Sequence, residues 1–134
     1  PDTPAAWHAL DDRRVVLQGD WLDLHQLKLL PRTYEGQNGY HLLVPLRLID
    51  GQVVLVNRGW VPDKTELGPS STGGSVIVAG IARVAPTAKP FGMMDNAPAK
   101  DVWAWPDLPA IAARIGIDKM APVLVYAERL AGDG

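Results

Sequence analysis

The chain has 134 residues, 47% of them hydrophobic and 21% charged, with a formal net charge of -2 at pH 7. That length and composition describe one globular domain with a sizeable core, and the acidic balance offers no basic field for nonspecific nucleic-acid binding. There is no cysteine, which excludes disulfides, thiolate metal sites and cysteine nucleophiles, and no apolar run approaches the roughly 18 residues of a spanning helix.

The chain opens on Pro1 without a signal-peptide pattern, as expected of a piece cut from a longer protein. Residues 1–12 hold two prolines and little periodicity and read as a linker, from which Trp7 could dock on the body. Arg14 to Trp21 predicts a first strand with Val15, Leu17 and Gly19 on one face. A glycine inside that strand suggests a bulge or a close second backbone. From Leu22 to Tyr34 the leucines are interrupted by polar residues, and Pro31 excludes a helix past Leu30, so a strand is expected over 25–33. Glu35 to Gly39 reads as a turn on its Asn-Gly pair. Tyr40 to Ile49 is the next strand, with Pro45 marking an edge or a bulge. Asp50-Gly51 then predicts a tight two-residue hairpin onto Gln52 to Trp60.

The stretch Val53-Val54-Leu55-Val56-Asn57-Arg58-Gly59-Trp60-Val61-Pro62 is the centre of the reading. Val54 and Val56 point one way, Val53 and Leu55 the other, so the strand is apolar on both faces and belongs inside a sheet or barrel wall. Asn57, Arg58 and Trp60 fall at its end, where core gives way to rim. Gly59 reads as a close-packed position in which a glutamate would be costly, and Pro62 as the stop to pairing.

Residues 63–74 are expected as a long exposed loop, Ser75 to Val84 as a strand and 85–100 as a surface loop. Trp103 and Trp105 share a face if extended. Leu108, Ile111, Ala112 and Ile115 form the stripe of a short amphipathic helix, with Asp107 as N-cap and Gly116 as its end. Pro122 to Glu128 is the last strand, and 131–134 a tail. The predicted class is α+β and mainly β: an antiparallel sheet curled into a small barrel over 13–130, with one short helix before the last strand.

Few residues offer chemistry. His8, His25 and His41 could ligate haem or copper, but none has metal-ligand spacing, and surface or strand-end histidines are the plainer reading. Met93-Met94 could suit copper(I) or simply fill a loop gap. Arg58 could bind an anion or a propionate through its forked donors, or hydrogen-bond to loop carbonyls or a carboxylate. Trp60, Trp103 and Trp105 could make a partner surface or plug the barrel. No nucleophile–base pair, P-loop or paired carboxylates are evident, so no metal and no enzyme activity is expected.

The sequence resembles the Surfeit locus protein 1 family of cytochrome oxidase assembly factors. The resemblance is carried by Arg14-x-Val16-x-x-Gly19, Pro31-Arg32, Gly39-Tyr40-His41 with Pro45-Leu46, and above all Val54 to Pro62. Gly80-x-x-Arg83 and Val102-Trp103 followed by Asp107-Leu108 continue it in order. One departure is Asp101, where relatives often show Asn. The resemblance implies a soluble domain between two transmembrane helices absent here, on the periplasmic face of a bacterial inner membrane or in the mitochondrial intermembrane space. It also implies a non-enzymatic role in maturing oxidase subunit I, around insertion of haem a, with subunit I or other assembly proteins as partners. The family's proposed haem-ligating histidine belongs to a membrane helix beyond Gly134, so no haem ligand is carried onto this chain. Arg32, Tyr40, Asn57, Arg58, Trp60, Trp103 and Asp107 become candidates for a partner-facing rim, and Gly19, Gly39, Gly59 and Pro62 structural positions. The alternative is a stand-alone β-barrel module for a small ligand or partner.

Overall fold

The computed structural model describes residues 3–22, 26–34, 36–62, 75–91, 96–97, 102–118 and 120–128, and only the backbone of 30–34. Five strands run around a closed barrel in the order β1 (Arg14–Trp21), β5 (Val76–Val84), β7 (Val123–Ala127), β4 (Val53–Pro62) and β3 (Gln37–Leu48), because β3 pairs back onto β1. Outside that closure, β2 (Leu27–Tyr34) and β6 (Val102–Trp103) continue the sheet from β3. The barrel is mixed rather than purely antiparallel. The last strand arrives by way of helix α2 (Leu108–Ile115) and runs parallel to β4, while antiparallel to β5.

The two apolar faces of β4 serve two different cores. Val54 and Val56 face the barrel interior with Leu17, Leu46, Val78, Ala82, Val123 and Val125. Small branched side chains suit so narrow a barrel. Val53 and Leu55 face outward and meet Leu27, Leu29, Leu43, Leu124 and Trp103, under a lid made by Leu108, Ile111, Ala112 and Ile115 of α2. The Asp107 side chain accepts from the Ala110 amide at 3.3 Å, and Gly116 ends the helix at φ 78°.

Gly19 shows why β1 carries a glycine facing inward. A Cβ there would collide with the carbonyl of Arg47, because Gly19 pairs with Leu48 at the seam where the barrel closes. Pro45 sits where β3 changes partner from β1 to β2. Its carbonyl accepts from the Leu22 amide at 2.9 Å, so its missing N–H faces the gap between those strands and breaks no ladder.

Three local readings change. The expected linker contains helix α1 (Pro4–His8), capped by Thr3, with Trp7 buried against the barrel end. The Trp7 indole donates to Gln52 Oε1 at 3.0 Å, and Gln52 in turn donates to Asp50, whose carboxyl is thereby held below the usual carboxylate range. The Asp50-Gly51 hairpin is present, but its loop has a third residue: Gly51 donates to Leu48 and lies at φ 93°, a type I turn followed by a left-handed residue. The Asn38-Gly39 pair is not the β2–β3 turn. Both residues lie in β3, paired with Thr33 and Arg32, and the turn comes earlier, between Tyr34 and Gln37. A turn signal is overridden here because a Cβ on Gly39 would meet the Val61 backbone carbonyl and the Trp60 ring.

Expectations for His25, Met93-Met94, Asp101, the loop 63–74 and the tail fall outside the described residues, as does the Arg32 side chain.

Candidate rim of the barrel

Beyond Asn57, the last β4 residue paired with β7, the β3–β4 pair leaves the barrel and continues with β2 as a three-stranded ribbon. The motif Asn57-Arg58-Gly59 lies at that exit. His41 pairs with Trp60 and Leu43 with Asn57, so Arg58 and Gly59 together oppose the single residue Leu42. This is a bulge with its additional residue on β4.

Each residue of the motif has a separate task. Gly59 adopts φ 111°, which side-chain-bearing residues rarely do, and its amide donates to Asn57 Oδ1 at 2.8 Å. Asn57 is only 2% exposed, and its Nδ2 lies 2.9 Å from His41 Nδ1. Since Oδ1 must face the Gly59 N–H, the amide orientation is set and Nδ2 is the donor toward His41. Nδ1 of His41 therefore accepts, and the ring carries its proton on Nε2. Nitrogen-15 NMR of the imidazole should show the neutral Nε2–H tautomer at neutral pH. A Nδ1–H tautomer would contradict this geometry.

Arg58 points the other way, onto the face that continues the barrel interior. Its guanidinium lies 4.5 Å from the centre of the Trp21 ring at the end of β1. On the same face Lys28 of β2 places its ammonium 5.0 Å from the Tyr40 ring. Each cation is thus seated on an aromatic face. Trp60, half-buried on the opposite face, covers Gly39, where a Cβ would come within 2.6 Å of the indole. Pro62 is the last residue of β4 and pairs with Gly39.

The structure gathers Tyr40, Asn57, Arg58 and Trp60 at this rim and leaves two candidates elsewhere. Trp103 is fully buried in the outer core, with an indole N–H that has no hydrogen-bond partner among the described residues. Asp107 caps α2. His41, from the Gly39-Tyr40-His41 motif, completes the rim with Trp21 and Lys28, which no local motif signals. Only the cross-strand register brings them in.

No group of three or more His, Cys, Asp or Glu side chains converges among the described residues. The two histidines among the described residues do not fit haem as an axial pair: His8 is exposed on α1, whereas His41 lies in the ribbon with Nδ1 engaged. A groove of about 550 Å³ between α2 and the exit of β5 is walled by Ala85, Leu108, Ala112, Ile117, Met120 and Pro122, with Asp118 as its one carboxylate. It brings few polar groups together. No described helix is long and apolar enough to cross a membrane.

Comparison with known proteins finds one family over nearly the whole chain. The family model described as "SURF1 family" matches residues 1–133. This chain belongs to the SURF1 family. Surfeit locus protein 1 of Xenopus tropicalis is 32% identical over 90% of this chain and 44% of its own length. The Homo sapiens protein of that name is 30% identical over 95% of this chain and 48% of its own length. A SURF1-like protein of Dictyostelium discoideum is 46% identical over 36% of this chain and 18% of its own length. The chain spans about half the length of the animal SURF1 relatives it matches. A SURF1-type role follows from membership.

Proposed function

We propose that this domain is a non-enzymatic assembly factor for haem–copper oxidase, acting in maturation of subunit I or insertion of haem a. The observation that carries this reading is the family match over nearly the whole chain. The domain would stand on the periplasmic face of the inner membrane, or in the intermembrane space, and dock through the Arg58 rim onto subunit I or another assembly protein. Haem a would be held by parts of the protein other than this domain, since the described histidines do not pair. The rim supports docking because Arg58 is exposed while Asn57, which shapes the bulge behind it, is buried.

The test is complementation. A full-length protein carrying this domain should restore oxidase activity in cells lacking their own SURF1-family gene. Arg58→Lys keeps a cation on Trp21 but loses the planar fork. An exposed cation–ring contact is worth roughly 0.5–1 kcal/mol, so melting should shift little, while oxidase activity falls at unchanged protein abundance. Normal activity at normal abundance would remove Arg58 from the docking surface. No restoration by the wild-type protein would sink the assembly reading itself.

A further inference from the structure

We infer that the barrel mouth recognises an acidic, extended peptide segment bearing two carboxylates four residues apart. The inference rests on reading this rim as the docking surface and specifies what docks there.

Lys28 and Arg58 flank Leu42 from the two neighbouring strands, Lys28 paired with it and Arg58 opposite it in the bulge. Two strand spacings separate their backbones, about 10 Å. The side chains lean apart. Arg58 reaches toward the barrel and Trp21, which pairs with Leu46, whereas Lys28 reaches toward Tyr40, nearer the ribbon tip. Among the described residues the ion pairs are Arg14–Glu128 and Arg83–Asp12, so neither mouth cation is neutralised by a carboxylate there. In a chain of net charge -2, the mouth is a local concentration of positive charge.

The separation decides the ligand class. One phosphate, a few ångströms across, cannot reach both cations while each stays on its ring. Extended peptide advances about 3.3 Å per residue and alternates its side chains between two faces, so carboxylates four residues apart share a face and span about 13 Å. The aromatic seats hold the two cations in place before binding, which limits the side-chain entropy lost on contact.

The probe is a glycine–serine peptide carrying two glutamates four positions apart, with a glutamine version as control. Binding is read from Trp21 indole NMR shifts and by titration calorimetry. The glutamate peptide should bind, more weakly as salt rises, and the glutamine peptide should not. Arg58→Gln and Lys28→Gln should each weaken binding by about fivefold or more. Arg13→Gln, at the far end of β1, should leave it unchanged. Lys28→Arg keeps the charge and should keep the affinity, which separates lost recognition from lost folding.

Inorganic phosphate binding as tightly as the peptide would overturn the two-point reading. So would phosphatidylcholine–phosphatidylglycerol vesicles held through Lys28 and Arg58 while the peptide is ignored. Absence of peptide binding with complementation intact would refute the acidic segment and leave the assembly reading standing.

Discussion

Asn57→Leu is expected to destabilise the domain by roughly 2–6 kcal/mol, since each polar group stranded in the interior costs about 1–3. Two lose their partner, the half-buried Gly59 amide and His41 Nδ1, because Asn57 serves both from a site 2% exposed, so the loss should fall toward the lower end of that range. Chemical denaturation of wild type and variant measures the loss, and a loss below about 1 kcal/mol would mean that water satisfies both groups. Asn57→Asp makes a second test with a definite sign. A carboxylate can still accept from Gly59, but it needs a proton on His41 Nδ1 in place of the amide's donation. The His41 pKa in the folded variant would then lie above its unfolded value, near 6.5. That stabilising contribution is fully present below the unfolded value and is lost as pH rises through the folded one. The gap between Asn57→Asp and wild type should therefore widen from about pH 5.5 to about pH 8. A gap independent of pH would contradict the assigned amide orientation.

Gly59→Ala and Gly59→Glu are expected to cost similar amounts, about 1–3 kcal/mol each. The sequence reading of a close-packed strand end makes glutamate costly for another reason, the burial of its charge. The structure corrects that reason. Nothing lies within 4 Å of a Cβ built on Gly59, so there is room for either side chain, and the penalty comes from φ 111°. Thermal melts of both variants decide the matter. Should glutamate prove several kcal/mol worse than alanine, packing governs this position and the bulge geometry is wrong.

The elements legible in the sequence are those whose signal is local. The α2 stripe, its Asp107 cap and its Gly116 terminus lie within ten residues of one another, and their physics is complete inside that window. The two-faced apolar run of β4 is also readable, because only a strand covered on both sides needs it. The bulge at 57–59 is less readable. A polar residue, an arginine and a glycine after a core strand announce a rim, but the same letters serve a turn or a close approach. Asn38-Gly39 shows the converse: a strong turn signal whose glycine is required in mid-strand by the Val61 carbonyl and the Trp60 ring, both distant in sequence.

By itself the sequence determined the strand content, the helix before the last strand, the absence of cysteine chemistry and the family, because each depends on composition or on short-range pattern. Tertiary structure decided how the barrel closes at Gly19, which face of β4 meets which core, and that the last strand runs parallel to β4. It also decided that Asn57 belongs with His41, Arg58 with Trp21 and Lys28 with Tyr40. These pairings join residues 12–37 positions apart. They are set by strand register, a property of the assembled sheet that no local stretch of chain contains.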